Sequence, residues 1–397
     1  MRPVRRIRLM VLISALFCGN DPPIWGYAMH TLIPDFQWPR VRRLLAAFWL
    51  GLAALTVHAD PSDSPSPVAS PTQPQAFRWG LVAYHVALPG YDLTPADIDR
   101  MADLGIGWLS IDLAWTRIQR EPQGPMDFSY FDILIDAANR RGLKVVGKLG
   151  AGYNGNRPIA PPWTRHLGET AYLAALNDYA QATAKHFAGR IASFALENEF
   201  NIPNVHTLIG WRVGIWTSDF MDQVMQTLAH AVQTQAPDAE VIISITPLAG
   251  FESGIERMNK LIDYDVVGVH TYPVGFVPDL ALAENIKSQI ARARRASEGR
   301  PVIILETGMH TETPPWTEAL QADYLQAISK GTREGGAAGI FFYQYLDNPE
   351  ESGREGHFGL LRADHSPKPA WERYRQIIAS SSSDLERRLK QRLDPTC

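Results

Sequence analysis

Cysteine is scarce in this sequence, and neither sign of charge is in large excess. The chain has two cysteines among 397 residues and a formal net charge of −4. So few cysteines exclude a scaffold built on disulfides. A near-neutral balance also argues against a strongly basic nucleic-acid binder, because binding to the phosphate backbone requires an excess of lysine and arginine. The length still allows a large hydrophobic core.

Positive charge is concentrated at the amino terminus. Residues 1–59 hold seven arginines against two acidic residues, a local charge of about +5, which leaves about −9 for the rest of the chain. The basic segment Arg40–Arg43 precedes an apolar run, Leu44–Val57, and the small-x-small sequence that ends at Ala59. This order is typical of a secretory signal peptide. The apolar run is shorter than the ~20 residues that a membrane-spanning helix needs. We therefore expect export to the periplasm or the medium after cleavage near Ala59, and no stable membrane span.

Three other features define the domain organisation. Met29 lies just upstream of the signal-like element, so we expect translation to begin there. Residues 60–76 form a linker rich in proline and serine, a composition that cannot bury apolar surface. Residues 381–397 form a charged tail that begins within a run of four serines, 380–383, and a short exposed helix from Asp384 onwards is an alternative for it. The predicted folded domain is therefore 77–380.

Short apolar runs alternate with amphipathic segments of helical spacing throughout 77–380. Eight of the runs are rich in β-branched or aromatic residues, as buried parallel strands are. Eight strand-helix units in about 300 residues predict a single-domain (β/α)8 TIM barrel, with a doubly wound open sheet as the alternative. In such a barrel the active site lies just after the strand ends. The predicted strands are Arg78–Tyr84, Trp108–Leu113, Lys144–Leu149, Ile191–Leu196, Val241–Ile245, Val266–His270, Val302–Leu305 and Gly339–Tyr345.

Carboxylates follow the fourth and seventh predicted strands. Glu199 comes directly after Asn198 at the end of the fourth, and Glu306 lies at the end of the seventh. Two carboxylates that converge on one cleft are what glycoside hydrolysis requires, because one protonates the leaving oxygen and the other attacks the anomeric carbon or activates water. Their environments must hold their two pKa values apart. The alternative for either residue alone is a structural carboxylate held by a lysine or arginine.

The ordered set of motifs resembles clan A of the glycoside hydrolases, which are (β/α)8-barrel enzymes. The resemblance implies an exported retaining glycosidase that cleaves β-glycosidic bonds in an oligo- or polysaccharide by double displacement. It also implies that Glu199 is the general acid/base, that Glu306 is the nucleophile, that Asn198 binds the sugar's 2-hydroxyl and that Tyr272 hydrogen-bonds the nucleophile. Further segments that carry the resemblance are Ile111–Ile118, Asp127–Asp132, Asp265–Pro273, Phe358–Arg362 and Ser366–Trp371.

Three positions depart from the pattern of these relatives. Ser110 stands where many of them have an arginine that supports the nucleophile, so either another donor replaces the arginine or the nucleophile is less well stabilised. Glu197 is expected on the same side of the strand as Glu199, as a third active-site acid or as a buried structural carboxylate. The eighth strand offers Phe341–Tyr345 where a tryptophan often floors the catalytic subsite. The alternative function is therefore a catalytically impaired barrel that only binds carbohydrate.

The remaining candidates concern ligand binding. His270 is a candidate sugar contact, with a buried structural role as the alternative. The segment Gly150–Gly155 has the spacing of a dinucleotide-binding loop but lacks the helix start that such a site needs. The scattered histidines predict no metal site, and we expect no cofactor. Five aromatic residues are candidates for stacking on sugar rings, each with packing within its loop as the alternative: Trp115, Tyr153, Trp163, Trp211 and Trp216.

Overall fold

The structure, a computed structural model, describes residues 76–83, 92–150, 153–154, 157–202, 217–273, 282–348, 350–351 and 353–393. Side chains are described at all of these positions except 153–154, 157–158, 282–284 and 382–393. The described residues all lie in one structural unit, Gln75–Cys397. The predicted signal peptide, the alternative start at Met29 and the linker up to residue 75 lie outside them.

Eight parallel strands close into a barrel. Each strand pairs with the next along the chain, and the last pairs with the first. The predicted (β/α)8 barrel is therefore confirmed, and the closed order of strands excludes the open doubly wound sheet. The strands are β1 Arg78–Val82, β2 Trp108–Asp112, β3 Lys144–Leu149, β4 Ser193–Leu196, β5 Glu240–Ile245, β6 Val266–His270, β7 Val302–Thr307 and β8 Gly339–Phe342.

Helices follow the strands, and several begin at side chains that cap them. Thr94 accepts a hydrogen bond from the backbone N–H of Asp97, whose side chain accepts one from the backbone of Thr94, and Pro95 opens the helix. The hydroxyls of Thr217 and Thr317 each accept one backbone N–H, from Phe220 and Leu320, and so cap two later helices. The longer helices are α1 Pro95–Asp103, α2 Ser129–Arg140, α3 Glu169–Phe187, α4 Ser218–Gln235, α5 Phe251–Leu261, α6 Leu282–Ala296, α7 Glu318–Glu334 and α8 Pro369–Leu393.

The last helix extends beyond the predicted end of the barrel. The sequence predicted that the periodic pattern closes at the serines 380–383, with a separate short helix after them as an alternative, but α8 continues through the serines as one helix to Leu393. No glycine or proline interrupts the chain between the serines and Pro395, so nothing in the backbone chemistry forces the helix to stop earlier. In the part of the chain that the structure describes, no helix is long and apolar enough to cross a membrane.

A bulge in β7 determines which way its carboxylate faces. Val269 pairs with Ile304 and His270 pairs with Glu306, so Leu305 is an extra residue in the ladder. Leu305 packs in the cluster that fills the barrel. Strict alternation would turn the next residue outwards, but the bulge lets Glu306 face the interior as well.

Candidate active site

Glu306 has three polar neighbours at the carboxyl end of the barrel. The side-chain nitrogen of Lys148 lies 2.5 Å from its Oε1. The hydroxyl of Tyr272 donates a hydrogen bond to Oε2 at 2.9 Å, as the resemblance implied. Nδ1 of His270 lies 3.3 Å from the same oxygen. Strands β3, β6 and β7 and the residues just after β6 thus surround one carboxylate.

The electrostatics of this cluster favour an ionised Glu306. Burial opposes its charged form, but the attraction of His270 and Lys148 and the hydrogen bond from Lys148 outweigh burial and lower the pKa of Glu306 below its ordinary 4.5. Burial also opposes the charge of Lys148, yet Asp112 and Glu306 together raise the pKa of Lys148 above its ordinary 10.5. Burial and the charge of Glu306 raise the pKa of Tyr272 well above 10, so its hydroxyl keeps the proton that it donates.

Lys148 places a cation beside Glu306, the role that the resemblance gives to an arginine at the position of Ser110. Its ammonium lies 2.9 Å from Oδ1 of Asp112, and Asp112, Lys148 and Glu306 are each 4% exposed. Ser110 precedes Asp112 by two residues in β2, so both side chains face the same side of the strand. Ser110 is fully buried, and its hydroxyl has no hydrogen-bond partner among the described residues. The cationic donor to Glu306 therefore comes from β3 in this protein and not from β2.

Glu199 lies close to the same histidine. Its Oε1 is 3.6 Å from Nδ1 of His270, and its side chain is 15% exposed. The two contacts of Nδ1 limit the separation between Oε1 of Glu199 and Oε2 of Glu306 to about 7 Å at most, a limit that includes the roughly 5–5.5 Å between the carboxyl groups of retaining glycosidases. The structure thus brings the two predicted carboxylates into one cleft.

His270 is held in place from β5. Its Nε2 lies 3.0 Å from the hydroxyl of Ser244, which also accepts the backbone N–H of Glu199 at 3.2 Å. The imidazole is fully buried. Because one ring nitrogen contacts Ser244, the other is directed towards the two carboxylates. Of the two roles that the sequence left open for His270, the described contacts are those of a buried residue that holds the site together.

The backbone after β4 is unusual on both sides of Asn198. Glu197 and Glu199 both have left-handed φ angles, 56° and 53°, which non-glycine residues rarely adopt. Asn198 is buried, and its Oδ1 has no hydrogen-bond partner among the described residues. The turn therefore presents an amide oxygen that is able to accept a hydrogen bond from a ligand.

Glu197, directly after β4, is buried within reach of the charge-sensitive hydroxyls of two tyrosines on α3. It is 1% exposed. After burial itself, its charge is the largest cause that raises the pKa of Tyr172 and of Tyr179, both on α3. This placement supports a buried structural carboxylate over a third active-site acid.

Aromatic rings lie beside Tyr272. Tyr343, directly after β8, packs edge-on against Tyr272 at 6.0 Å between ring centroids and against Phe358 at 5.4 Å. Phe358 also contacts Tyr272, at 5.7 Å. Within Phe341–Tyr345, Tyr343 is thus the residue whose ring packs against Tyr272, the donor to Glu306.

The prediction for Trp115 is wrong. Its ring is fully buried, stacks on Tyr179 at 5.1 Å and meets Tyr172 and Trp163 edge-on. Its Nε1 donates a hydrogen bond to Gln119. Protein therefore covers the ring that was expected to stack on sugar. Trp163 is partly buried against the same core. Outside the described residues lie Trp211, Trp216 and the side chain of Tyr153.

Sequence reasoning missed Lys148, Asp112, Ser244 and Tyr343. One signal was available: Lys148 interrupts an otherwise apolar strand at a position that alternates inward with Val146. A buried lysine requires a charged partner, so this position indicated an ion pair inside the barrel. Among the described residues, no group of three or more histidine, cysteine, aspartate or glutamate side chains is arranged to hold a metal ion.

No protein-family model and no curated protein sequence matches the chain. Solved structures do match it. The exo-β-1,4-mannosidase Op5Man5 from Opitutaceae bacterium strain TAV5 is 20% identical, with a TM-score of 0.63, over 78% of this chain and 60% of its own. The GH5_18 protein from Streptomyces cattleya in complex with GlcNAc is 17% identical, with a TM-score of 0.64, over 78% of this chain and 81% of its own.

A third structure, the β-glucosidase from Thermotoga maritima in complex with azafagomine, is 14% identical, with a TM-score of 0.61, over 78% of this chain and 98% of its own. This chain therefore spans less than two thirds of the length of the mannosidase and nearly all of the length of the glucosidase. At these identities the likeness is one of fold. The chain shares the (β/α)8 barrel of these glycosidases, as its resemblance to clan A implied.

Proposed function

We propose that this protein is a retaining glycoside hydrolase that cleaves β-glycosidic bonds in an oligo- or polysaccharide. The observation that carries the proposal is the pair of carboxylates at the ends of β4 and β7. Glu306 is held ionised by an ammonium and a phenol hydroxyl, and His270 contacts both Glu306 and Glu199. The pair lies at the face of the barrel where enzymes of this fold place their active sites.

The environment of Glu306 supports the roles that we propose for the two carboxylates. In the first step, an oxygen of Glu306 attacks the anomeric carbon while Glu199 donates its proton to the glycosidic oxygen, so the bond to the leaving group breaks as the glycosyl-enzyme forms. In the second step, Glu199 accepts a proton from water, and the water oxygen displaces Glu306 from the same carbon. Glu306 suits the nucleophile because Lys148 and Tyr272 stabilise its carboxylate form.

The substrate class follows from the same site. Asn198 directly precedes Glu199, and its Oδ1 has no hydrogen-bond partner among the described residues. This oxygen is therefore available to accept a hydrogen bond from the sugar's 2-hydroxyl. The similar structures are named for β-mannoside and β-glucoside hydrolysis. Both names support a β-linked hexose as the sugar that occupies the cleft. Export after cleavage near Ala59 is part of the proposal and is supported by the amino-terminal sequence.

The alternative, a barrel that binds carbohydrate without turnover, was motivated by Ser110. Lys148 removes that motive, because it places a cation on the candidate nucleophile from the neighbouring strand. The described residues offer no other observation in favour of an impaired site.

Product stereochemistry tests the proposal directly. The purified barrel is screened on 4-methylumbelliferyl β-glucoside, β-mannoside, β-galactoside and β-N-acetylglucosaminide, and the anomer first released from the substrate that is cleaved is recorded by proton NMR. We expect the β anomer from the wild type, and no turnover by Glu199→Gln or Glu306→Gln with unchanged circular dichroism. Initial release of the α anomer, or full activity in Glu306→Gln, contradicts the proposed mechanism.

A further inference from the structure

The pairing of β2 with β3 puts a carboxylate and an ammonium side by side. Asp112 and Lys148 are direct partners in the register of the two strands, and the nitrogen of Lys148 lies 2.9 Å from Asp112 and 2.5 Å from Glu306 across the barrel. A lysine side chain is long and flexible, so a single contact fixes it poorly. The lateral ion pair with Asp112 immobilises the stem and directs the ammonium at Glu306.

Burial makes this arrangement demanding. A charge with 4% exposure is tolerated only when it is paired and hydrogen-bonded. Lys148 meets this condition with a hydrogen bond to Glu306 and an ion pair with Asp112. Because both carboxylates contact the same ammonium, the position of Lys148 determines how the two carboxylates are oriented relative to each other.

Ser110 explains why the cation can come from β3. A small side chain at this inward position of β2 leaves Asp112 as the charged residue that β2 contributes to the cluster. In this protein β2 therefore supplies Asp112, which pairs with Lys148, and β3 supplies Lys148, which contacts Glu306.

We propose that Lys148, clamped by Asp112, is the positioning residue that orients Glu306 for attack on the anomeric carbon and stabilises it as the departing carboxylate in the second step. This inference rests on the proposed glycosidase function. Lys148 acts on the reaction through Glu306, whose Oε1 it contacts, while Tyr272 donates a hydrogen bond to Oε2. The two oxygens are thereby held by different groups, which fixes the rotation of the carboxylate plane.

Steady-state kinetics across pH test this role on the substrate that the wild type cleaves. We expect Lys148→Met to lower kcat/KM by about 10²–10³-fold, the range seen when one preorganised charged donor is removed. We also expect the acidic limb of the kcat/KM profile to move to higher pH, because Glu306 loses the cation that favours its ionised form. Lys148→Arg retains the charge and is expected to keep the acidic limb near its wild-type position.

Asp112→Asn is expected to shift the acidic limb of the kcat/KM profile in the opposite direction. Asp112 is among the groups whose charge opposes ionisation of Glu306, so its removal moves the acidic limb to lower pH. The loss of the clamp nevertheless lowers kcat. If the ion pair of Asp112 and Lys148 had only a structural role, both variants would lose stability and the acidic limb of the kcat/KM profile would stay in place.

A double variant tests the origin of the cation. Ser110→Arg combined with Lys148→Met returns a cation to β2, and activity above that of Lys148→Met alone supports the inference that Lys148 replaces a cation on β2.

The matched control is Lys144→Met, which removes an exposed lysine from the amino-terminal end of the same strand. It is expected to match the wild type in rate and pH profile. Wild-type kcat/KM with an unmoved acidic limb in folded Lys148→Met overturns the proposal.

A carboxyl-carbon NMR titration of Glu306, assigned with Glu306→Gln, does not depend on turnover. The pKa of Glu306 is expected to rise in Lys148→Met, and an unchanged value contradicts the role of Lys148 even if no glycoside is hydrolysed. A wild type that hydrolyses no glycoside, with a titration that behaves as expected, contradicts the glycosidase function instead.

Discussion

Replacing Lys148 by methionine also tests how strongly the buried charges are coupled to folding. In the wild type a single ammonium lies 2.5 Å from Glu306 and 2.9 Å from Asp112. Removal of one partner from a buried ion pair costs about 3–5 kcal/mol, because it leaves an uncompensated buried charge. We therefore expect Lys148→Met to lower the free energy of unfolding by about 3–5 kcal/mol at pH 7, out of the roughly 5–15 kcal/mol of a typical domain.

This loss is expected to depend on pH. In the wild type the folded-state pKa of Glu306 is lowered, so the carboxylate stabilises the fold above its ordinary 4.5 and this contribution is lost as the pH falls through the folded value. In the variant, Glu306 loses the attraction of Lys148 and the hydrogen bond from it, while burial, His270 and Asp112 still act on it. The pKa of Glu306 therefore rises towards its ordinary value, and its carboxylate stabilises the fold less at neutral pH. The deficit is therefore largest near pH 7 and shrinks as the pH approaches 4.

Urea denaturation followed by tryptophan fluorescence and circular dichroism measures the deficit at the two pH values. Lys144→Met is the control, since it removes a lysine from the same strand without touching the buried cluster. A deficit of less than about 1 kcal/mol at pH 7 refutes the coupling, because it is smaller than the penalty for any unpaired buried charge. A deficit that stays equal at pH 7 and pH 4 refutes its assignment to ionised carboxylates.

Three other substitutions separate the site from the scaffold. Tyr272→Phe removes the donor to Oε2 of Glu306, so kcat/KM is expected to fall by about 10–100-fold, in line with a charged hydrogen bond of about 1.5–3 kcal/mol, in steady-state assays; an unchanged rate contradicts the contact. Trp115→Phe is expected to lower the melting temperature and leave kcat/KM of the folded protein unchanged, whereas a selective loss of activity restores Trp115 as a sugar platform. Thr94→Ala removes the cap of α1 and is expected to cost about 1 kcal/mol in urea denaturation with no change in rate, and no loss of stability contradicts the capping role.

The fold followed from the sequence because periodicity was sufficient evidence for it. Eight apolar runs separated by helical patterns leave few ways to bury every strand on both faces. The closed barrel and the open doubly wound sheet both use all eight, and the pairing of the last strand with the first decides between them. Details that depend on pairing were not accessible. The bulge at Leu305 appears only when β7 is aligned with both of its neighbours, and the extension of α8 beyond the serines at 380–383 depends on the absence of a stop signal rather than on an apolar pattern.

The site was predictable where a residue type and a strand end coincide. Glu199 and Glu306 were found in this way, since barrels place such residues at one face. Lys148 was missed because its meaning depends on what lies across the barrel, which one strand alone does not show. Trp115 was misjudged because proximity to a strand end does not reveal direction, and its side chain points towards α3 rather than into the cleft.

Covalent trapping is the most direct test of the proposal that Glu306 is the nucleophile. The wild type is incubated with the 2,4-dinitrophenyl 2-deoxy-2-fluoro-β-glycoside of the sugar that it cleaves, digested, and mapped by mass spectrometry. We expect a single fluoroglycosyl label on Glu306, carried by a peptide that stays unlabelled in Glu306→Gln. A label on any other residue, or continued hydrolysis of the parent glycoside with no covalent label, contradicts the assignment of Glu306 as the nucleophile.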